Sequence, residues 1–354
     1  MKKIRVAVNG CGRIGRAFIK KALGKPEIEI VAVNDLADVK NIAYLLKYDT
    51  VYGKTRIHAD KETQIAADVG KDGKQNLVID GQKIVYFSEK EPAKLPWKDL
   101  DIDVVVESTG LFAGYEKSKV HLEAGAKRVV ISAPVKDEPE AAEISGATIL
   151  LGVNEEKMEG CQITSNASCT TNAGSPLIAI LDEAIGIEKA VLNTVHGYTA
   201  SQGIVDGPNK KDFREGRAAA QNIVPSSTGA AIAVTKAFPK LAGLFDGISV
   251  RVPVVAGSIV DITFIAKRET TKEEVNEILK KAAGDKRWSG IFSVTEEELV
   301  STDILGSEFA SIADLNFTRV VGGNLVKVMA WYDNEMGYTN TLIAHVIKVG
   351  EQLK

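Results

Sequence analysis

The chain has 354 residues, with 44 Lys or Arg against 47 Asp or Glu and a formal charge of −3. At about 150 residues per domain this length suggests two or three domains, each able to bury a core without disulfide or metal staples. The even charge balance offers no basic surface for nucleic acid, and 45% apolar with 26% charged residues excludes disordered, collagen-like and coiled-coil architectures.

The first 150 or so positions alternate β-rich runs with helix-like stretches. Runs at Ile4–Val8, Glu29–Asn34, Val104–Val106, Arg128–Ile131 and Thr148–Val153 read as strands. Between them Arg16–Leu23, Val39–Leu46 and Lys117–Ala124 have helical composition. Val- and Ile-rich strands alternating with helices imply a parallel α/β sheet. Tyr52–Phe87 interrupts this pattern. Its turn signals, Lys71-Asp72-Gly73-Lys74 and Asp80-Gly81, suggest an antiparallel excursion at the sheet edge.

The second half reads differently. Strands are expected at Val191–His196, Ile248–Pro253, Ser258–Ala266 and Val326–Tyr332. Helices are expected at Pro176–Ala184, Gly229–Phe238 and Thr271–Ala283, the last opened by a capping box at Thr270-Thr271-Lys272-Glu273. Long strands with few helices suggest an α+β domain on a mostly antiparallel sheet. Asn340–Gln352 closes the chain as a helix, with Leu342, Ile343, Val346, Ile347 and Val349 spaced for burial. The domains are expected at 1–168, joined by a final helix about 334–354, and at 169–333. No run of about 18 apolar residues predicts a membrane span, and the first nine residues lack a secretory apolar region.

Gly10-Cys11-Gly12-Arg13-Ile14-Gly15 is a GxGxxG that follows a strand and opens a helix. The first glycine suits a tight turn, the second lets pyrophosphate approach the backbone, and the third lets helix and sheet pack closely. Asp35, 20 residues after Gly15, ends the next strand. A carboxylate there accepts ribose hydroxyls and repels the extra phosphate of NADP, so NAD is the expected cofactor.

Cys11, Cys161 and Cys169 are odd in number and form no CxxC, so neither a disulfide framework nor a zinc ribbon is expected. Four scattered histidines argue against a metal cluster, and a reducing, cytoplasmic location fits. Ser165-Asn166-Ala167-Ser168-Cys169-Thr170-Thr171-Asn172 stacks small hydroxyl and amide residues before a helical run. Such residues cap helices, which places Cys169 at a helix N-terminus. The dipole and a nearby imidazolium would there favour the thiolate. His196, at a strand end, is the candidate partner. Cys11, Cys161, His58, His121 and His345 read as structural.

With these motifs in order, the chain resembles phosphorylating glyceraldehyde-3-phosphate dehydrogenase from about Ile4 to the final helix. The resemblance adds Glu107-Ser108-Thr109-Gly110, His196-Gly197-Tyr198-Thr199, Pro225-Ser226-Ser227-Thr228-Gly229-Ala230-Ala231 and Trp331-Tyr332-Asp333-Asn334-Glu335-Met336-Gly337-Tyr338. It implies a Rossmann NAD domain, a catalytic α+β domain and a homotetramer acting in glycolysis. Cys169 would be the nucleophile and His196 the base. Ser168, Thr170, Thr228 and Gly229 would hold inorganic phosphate; Thr199 and Arg251 would hold the C3 phosphate of glyceraldehyde 3-phosphate. Gly10, Gly12, Arg13, Ile14, Gly15, Asp35, Lys90 and Ser132 would contact NAD, and Asn334 the nicotinamide carboxamide. No metal, nucleic-acid or membrane partner is implied.

Some positions depart from the family pattern. Cys11 replaces an aromatic residue, Lys90 an arginine and Ala173 a second cysteine. Val254-Val255-Ala256 follows Arg251-Val252-Pro253, and the edge excursion is longer than usual. Asp206-Gly207-Pro208 keeps the proline associated with NAD use. Erythrose-4-phosphate dehydrogenase shares the fold and the Cys169–His196 pair but hydrolyses its thioester; the intact Thr228 region argues against it. A redox-sensing protein without catalysis is a third reading, opposed by the complete set of site residues.

Overall fold

The computed structural model describes residues 2–57, 61–210 and 212–353; the side chain of Ile232 is also outside the description, as is His58. The chain forms two compact units. One comprises 1–149, 155–167 and 339–354; the other comprises 150–154 and 168–338.

The first unit runs β1 (Ile4–Asn9), α1 (Arg13–Ala22), β2 (Ile28–Asn34), α2 (Val39–Lys47) and the two-residue strands β3 (Tyr48–Asp49) and β4 (Gly53–Lys54). It continues through β5 (Ile65–Val69), β6 (Gln75–Ile79), β7 (Gln82–Phe87), β8 (Val104–Glu107), α3 (Tyr115–Glu123), β9 (Arg128–Ile131), β10 (Gly146–Thr148) and β11 (Ile163–Ser165). Nine strands make one sheet in the order β10-β11-β9-β8-β1-β2-β7-β6-β5. All pairings from β10 to β7 are parallel, and β5 and β6 join antiparallel at the edge. The edge excursion is thus as expected. Asp80 and Gly81 both take positive φ, 48° and 84°, as the tight β6–β7 turn requires.

Ala7, Ala32, Val105, Val129, Ile131 and Ile163 of the central strands pack with Trp97 and Tyr115 in one core. Burial on both faces explains their unbroken apolar runs. The expected strand at Thr148–Val153 is corrected. Pairing stops at Thr148, where Leu150 N–H turns to the Asn154 side chain and Gly152 takes φ +77°. The sheet continues instead through Ile163–Ser165.

The second unit contains α4 (Cys169–Ile185), β12 (Ile187–Gly197), β13 (Val224–Ser227), α5 (Ala230–Ala237), β14 (Phe245–Val252), β15 (Ser258–Ala266) and α6 (Lys272–Ala283). β16 (Phe292–Thr295), β17 (Ser311–Asp314), β18 (Arg319–Val321), β19 (Leu325–Tyr332) and α7 (Met336–Glu351) follow, α7 passing into the first unit from Thr339. The sheet order is β13-β14-β12-β15-β19-β17-β16, with β18 beside β19. It is mostly antiparallel, with parallel pairs only at β12–β14 and β16–β17. Leu177, Ile178 and Leu181 of α4 pack on Leu192, Val260, Ile262 and Val328 of the sheet.

α4 begins at Cys169 rather than Pro176, so the proline lies inside the helix. The preceding turns hold because Ser168 caps them and Gly174 lets α4 lie against the sheet: a Cβ there would stand 3.1 Å from Leu192 Cδ1. The α6 cap is Thr271, accepting from Glu274 N–H, one residue later than expected. Glu274 pairs with Arg268 and Thr270 instead of closing the box.

In the first unit, His345 of α7 is fully buried, with Nε2 2.8 Å from Thr164 Oγ1 and Nδ1 3.1 Å from Asn166 Oδ1. Burial pushes its pKa down to about 3. The unfolded chain therefore binds an extra proton between about pH 6.5 and 3, and stability falls as pH drops through that window, by at most about 1.4 kcal/mol per pH unit for this group. His345→Gln is expected to flatten the decline; urea unfolding between pH 6.5 and 4.5 measures it.

Candidate active site

Ser168 Oγ accepts Thr171 N–H at 3.1 Å and lies 2.7 Å from Thr171 Oγ1. Cys169 is therefore the first helical residue of α4, the place where unpaired N–H groups and the helix dipole favour negative charge. Its sulfur lies 3.4 Å from His196 Nε2. Strand register assembles the rest: His196 pairs with Arg251 on β14 and with Ser258 on β15, and Ser258 pairs with Tyr332 on β19. Residues far apart in sequence thus form one row across the sheet.

The Tyr332 hydroxyl lies 2.9 Å from Thr170 Oγ1 and 2.8 Å from Thr194 Oγ1. Thr194 Oγ1 is also 3.3 Å from the Ile259 carbonyl, which only accepts. The protons therefore run from Thr170 to Tyr332 to Thr194 to that carbonyl. The Tyr332 ring meets the imidazole edge-on, centroids 5.9 Å apart. It walls one side of His196.

Burial pushes His196 down to about 3; the Arg251 guanidinium adds to this, and the Gly197 carbonyl opposes it. Burial also raises the Cys169 thiol, against smaller help from Arg251 and from Thr170. Burial thus opposes charge on both members of the expected thiolate–imidazolium pair, while Arg251 and the start of α4 favour the thiolate. His196 Nδ1 lies 2.6 Å from the Gly197 carbonyl and 2.7 Å from Arg251 Nη1. These partners demand opposite tautomers. When Nδ1–H donates to Gly197, Nε2 is the acceptor that faces the thiol.

Thr170 is buried, its hydroxyl turned to Tyr332. Thr228 Oγ1 accepts Ala230 N–H at 3.1 Å, and Gly229 is the N-cap of α5 without a side-chain cap. Thr199 Oγ1 lies 3.0 Å from Ser201 Oγ. The Arg251 Nε is buried without a hydrogen-bond partner, a donor left over for a ligand. Asn334 Oδ1 accepts from Gly257 N–H and Ser258 Oγ, which leaves its amide N–H groups to donate elsewhere.

In the first unit, Gly10 has φ +98°, and a Cβ there would stand 2.7 Å from Thr109 N. A Cβ on Gly15 would collide with the Gly10 carbonyl. Gly12 is the N-cap of α1, with no side-chain cap and open space above its Cα, the form of an anion cradle. Asp35 is oriented by two backbone donors, Cys11 N–H at 2.6 Å and Ala37 N–H at 2.9 Å. These features fit a dinucleotide. Arg13 and Ile14 lie in the first turn of α1, and the Arg13 side chain pairs with Asp49 at 3.0 Å. Lys90 is exposed, and Ser132 follows β9, its N–H on the Glu107 carbonyl.

The sequence reading passed over Tyr332, Thr194 and Ser258. Tyr332 stood in a motif from which only Asn334 was singled out; the others carry no local signal, since only strand register brings them to His196.

A dinucleotide-binding unit and a unit presenting a thiol beside an imidazole define an NAD-dependent oxidoreductase that acts on an aldehyde. Residues 4–115 match the family model for the glyceraldehyde 3-phosphate dehydrogenase NAD binding domain, and 168–334 that for its C-terminal domain. The chain is 45% identical over 353 residues to glyceraldehyde-3-phosphate dehydrogenase 2 of Streptomyces avermitilis and to the Streptomyces coelicolor enzyme, with 99% of each chain covered. It is 44% identical over 357 residues to the Mycobacterium avium enzyme, with the same coverage. The chain belongs to the glyceraldehyde 3-phosphate dehydrogenase family. These relatives carry that name and not that of the erythrose-4-phosphate enzyme.

Tyr332→Phe is expected to destabilise the protein by about 1–2 kcal/mol, because Thr170 and Thr194 lose a shared buried partner. Urea unfolding measures this.

Proposed function

We propose that the chain oxidises glyceraldehyde 3-phosphate with NAD and inorganic phosphate to 1,3-bisphosphoglycerate, through a thioester on Cys169. The observation that carries this reading is the 3.4 Å Cys169–His196 contact beneath Arg251. His196 Nε2 takes the thiol proton, the sulfur attacks C1, and the imidazolium returns that proton to the C1 oxygen to give a thiohemiacetal. NAD would supply the acceptor for the C1 hydride. The again neutral His196 takes the proton of the C1 hydroxyl as the thioester forms. Phosphate oxygen then attacks the thioester and the sulfur leaves, so the covalent step conserves the energy of oxidation.

Arg251 and Thr199 are proposed to bind the C3 phosphate. A guanidinium drawn to that dianion no longer competes for His196 Nδ1, which then donates to Gly197 and leaves Nε2 as the base. Ser168, Thr170, Thr228 and Gly229 are proposed to hold inorganic phosphate, Thr170 only once its hydroxyl turns from Tyr332. The uncapped start of α5 and the Thr228 hydroxyl support this. Asn334, through its remaining amide N–H groups, is proposed to bind the carboxamide of the nicotinamide. Arg13, Ile14, Gly10, Gly12, Gly15 and Asp35 are proposed as NAD contacts, with Lys90 and Ser132 at its periphery.

We also read the protein as a cytoplasmic, glycolytic homotetramer. No helix among the described residues is long and apolar enough to cross a membrane. Val191, Leu244, Ile248 and Leu325 are 60%, 46%, 55% and 41% exposed, on or beside β12, β14 and β19. A groove lined by Val191, Leu244, Phe245, Ile265 and Leu325 lies among them. Contiguous apolar surface of this kind on a sheet supports burial against another copy. Ile248→Asp is expected to shift the sedimentation coefficient toward smaller species; an unchanged value contradicts a partner on this face.

NADH formation at saturating aldehyde is expected to need phosphate and to favour NAD over NADP. Phosphate-independent turnover contradicts the phosphorylating reading, and preference for NADP contradicts the role of Asp35. Cys169→Ser is expected to lower turnover by about 10⁴-fold or more while NAD still binds.

A further inference from the structure

The first unit holds a buried carboxylate that the reaction does not use. Glu107 ends β8, is 2% exposed, and pairs in register with Asn9 at the end of β1. The sheet order runs outward from β1 in both directions, through β2 on one side and β8 on the other. This gap is the switch point, where ligands of open α/β sheets bind beyond the strand ends.

Four donors surround Glu107. Oε1 takes Thr109 N–H at 2.8 Å and Thr109 Oγ1–H at 2.5 Å. Oε2 takes Asn9 Nδ2–H at 2.6 Å and faces His121 Nε2 at 3.1 Å. The Trp97 indole N–H, which only donates, points at His121 Nδ1 from 3.2 Å. Nδ1 is therefore an acceptor, so the ring proton sits on Nε2 and goes to Glu107. All the partners of the carboxylate are donors, and its own proton would find no acceptor.

Asn9 carries the network on. Its Oδ1 accepts Asn34 Nδ2–H at 2.7 Å, and Asn34 binds the backbone of Glu89 through both ends of its amide. On the other side Ser108 Oγ donates toward the Gly10 carbonyl at 2.8 Å. The Gly10 turn and the Thr109 turn are thus pressed together, too close for a side chain at Gly10. Burying a carboxylate is costly and is weak evidence for stability. What this one does is fix two loops relative to each other.

We propose that Glu107 is a positioning residue for the dinucleotide: its carboxylate clamps the Asn9–Gly10 turn to the Thr109–Gly110 turn across the switch point, and His121 holds the carboxylate in place. The inference rests on the first unit being the NAD domain. It gives His121, otherwise an ordinary helix histidine, a defined task.

The test compares NAD dissociation constants by calorimetry for the full chain and for Glu107→Gln, His121→Leu and His121→Gln. An amide at position 107 turns a donor toward donors, and leucine at 121 strands the Trp97 N–H. Each is expected to weaken NAD by about tenfold or more. Glutamine at 121 supplies both a donor and an acceptor, so it is expected to restore affinity to within about threefold of the unaltered chain. Alkylation of Cys169 by iodoacetamide without NAD is expected to proceed at the unaltered rate in every variant, which a general loss of folding would not allow. If Glu107→Gln does not fold, the two His121 variants decide. Unchanged NAD affinity in His121→Leu, or equal losses in His121→Leu and His121→Gln, overturns the inference alone. Failure of the unaltered chain to bind NAD overturns it together with the NAD reading.

Discussion

A thiol and an imidazole are held together where burial opposes charge on either. The 3.4 Å contact between Cys169 and His196 is made by two elements with separate reasons to be where they are. Helix α4 needs a cap, and Ser168 supplies it, which leaves Cys169 in the first turn. Strand β12 needs partners on both edges, and its register sets His196 between Arg251 and Ser258. Burial then raises the thiol and lowers the imidazole. The start of α4 and the Arg251 guanidinium work against burial at the sulfur, so the pair stands between opposing influences.

Both units present their polar residues at strand ends while the strand interiors pack as core. In the first unit Asn9, Asn34 and Glu107 end three adjacent parallel strands, and the glycine-rich turn follows directly. In the second, His196 and Arg251 end the parallel pair β12–β14. Rigid sheets therefore fix side chains that loops alone would leave loose. The hydroxyl chain from Thr170 through Tyr332 to Thr194 serves the same end, tying α4 to the sheet beside the imidazole.

Features written in adjacent residues were legible from the sequence. The glycine loop, Asp35 one strand later and the cap before Cys169 each announce themselves by local spacing. The parallel α/β and mostly antiparallel α+β classes followed from apolar runs and their lengths. What depends on register was not legible. Nothing near Tyr332 in sequence says that it faces His196, and Glu107 reads as the polar end of an apolar strand. The apolar run from Pro176 marks only the later part of α4; its first turns are small and polar, and the cap before Cys169 is what announces them. Thr148–Val153 is apolar, yet a turn at Gly152 ends its pairing. The burial of the Cys169–His196 pair was not legible either, because helix position is local and desolvation is not.

The central claim is that oxidation proceeds through an acyl group on Cys169. Mixing the protein with glyceraldehyde 3-phosphate and NAD in phosphate-free buffer, quenching in acid and mapping peptides by mass spectrometry tests it directly. The acyl mass is expected on the peptide containing Cys169, and its loss is expected when phosphate is added before the quench. NADH formed with that peptide unmodified, or with the acyl group on Cys11 or Cys161, would contradict it.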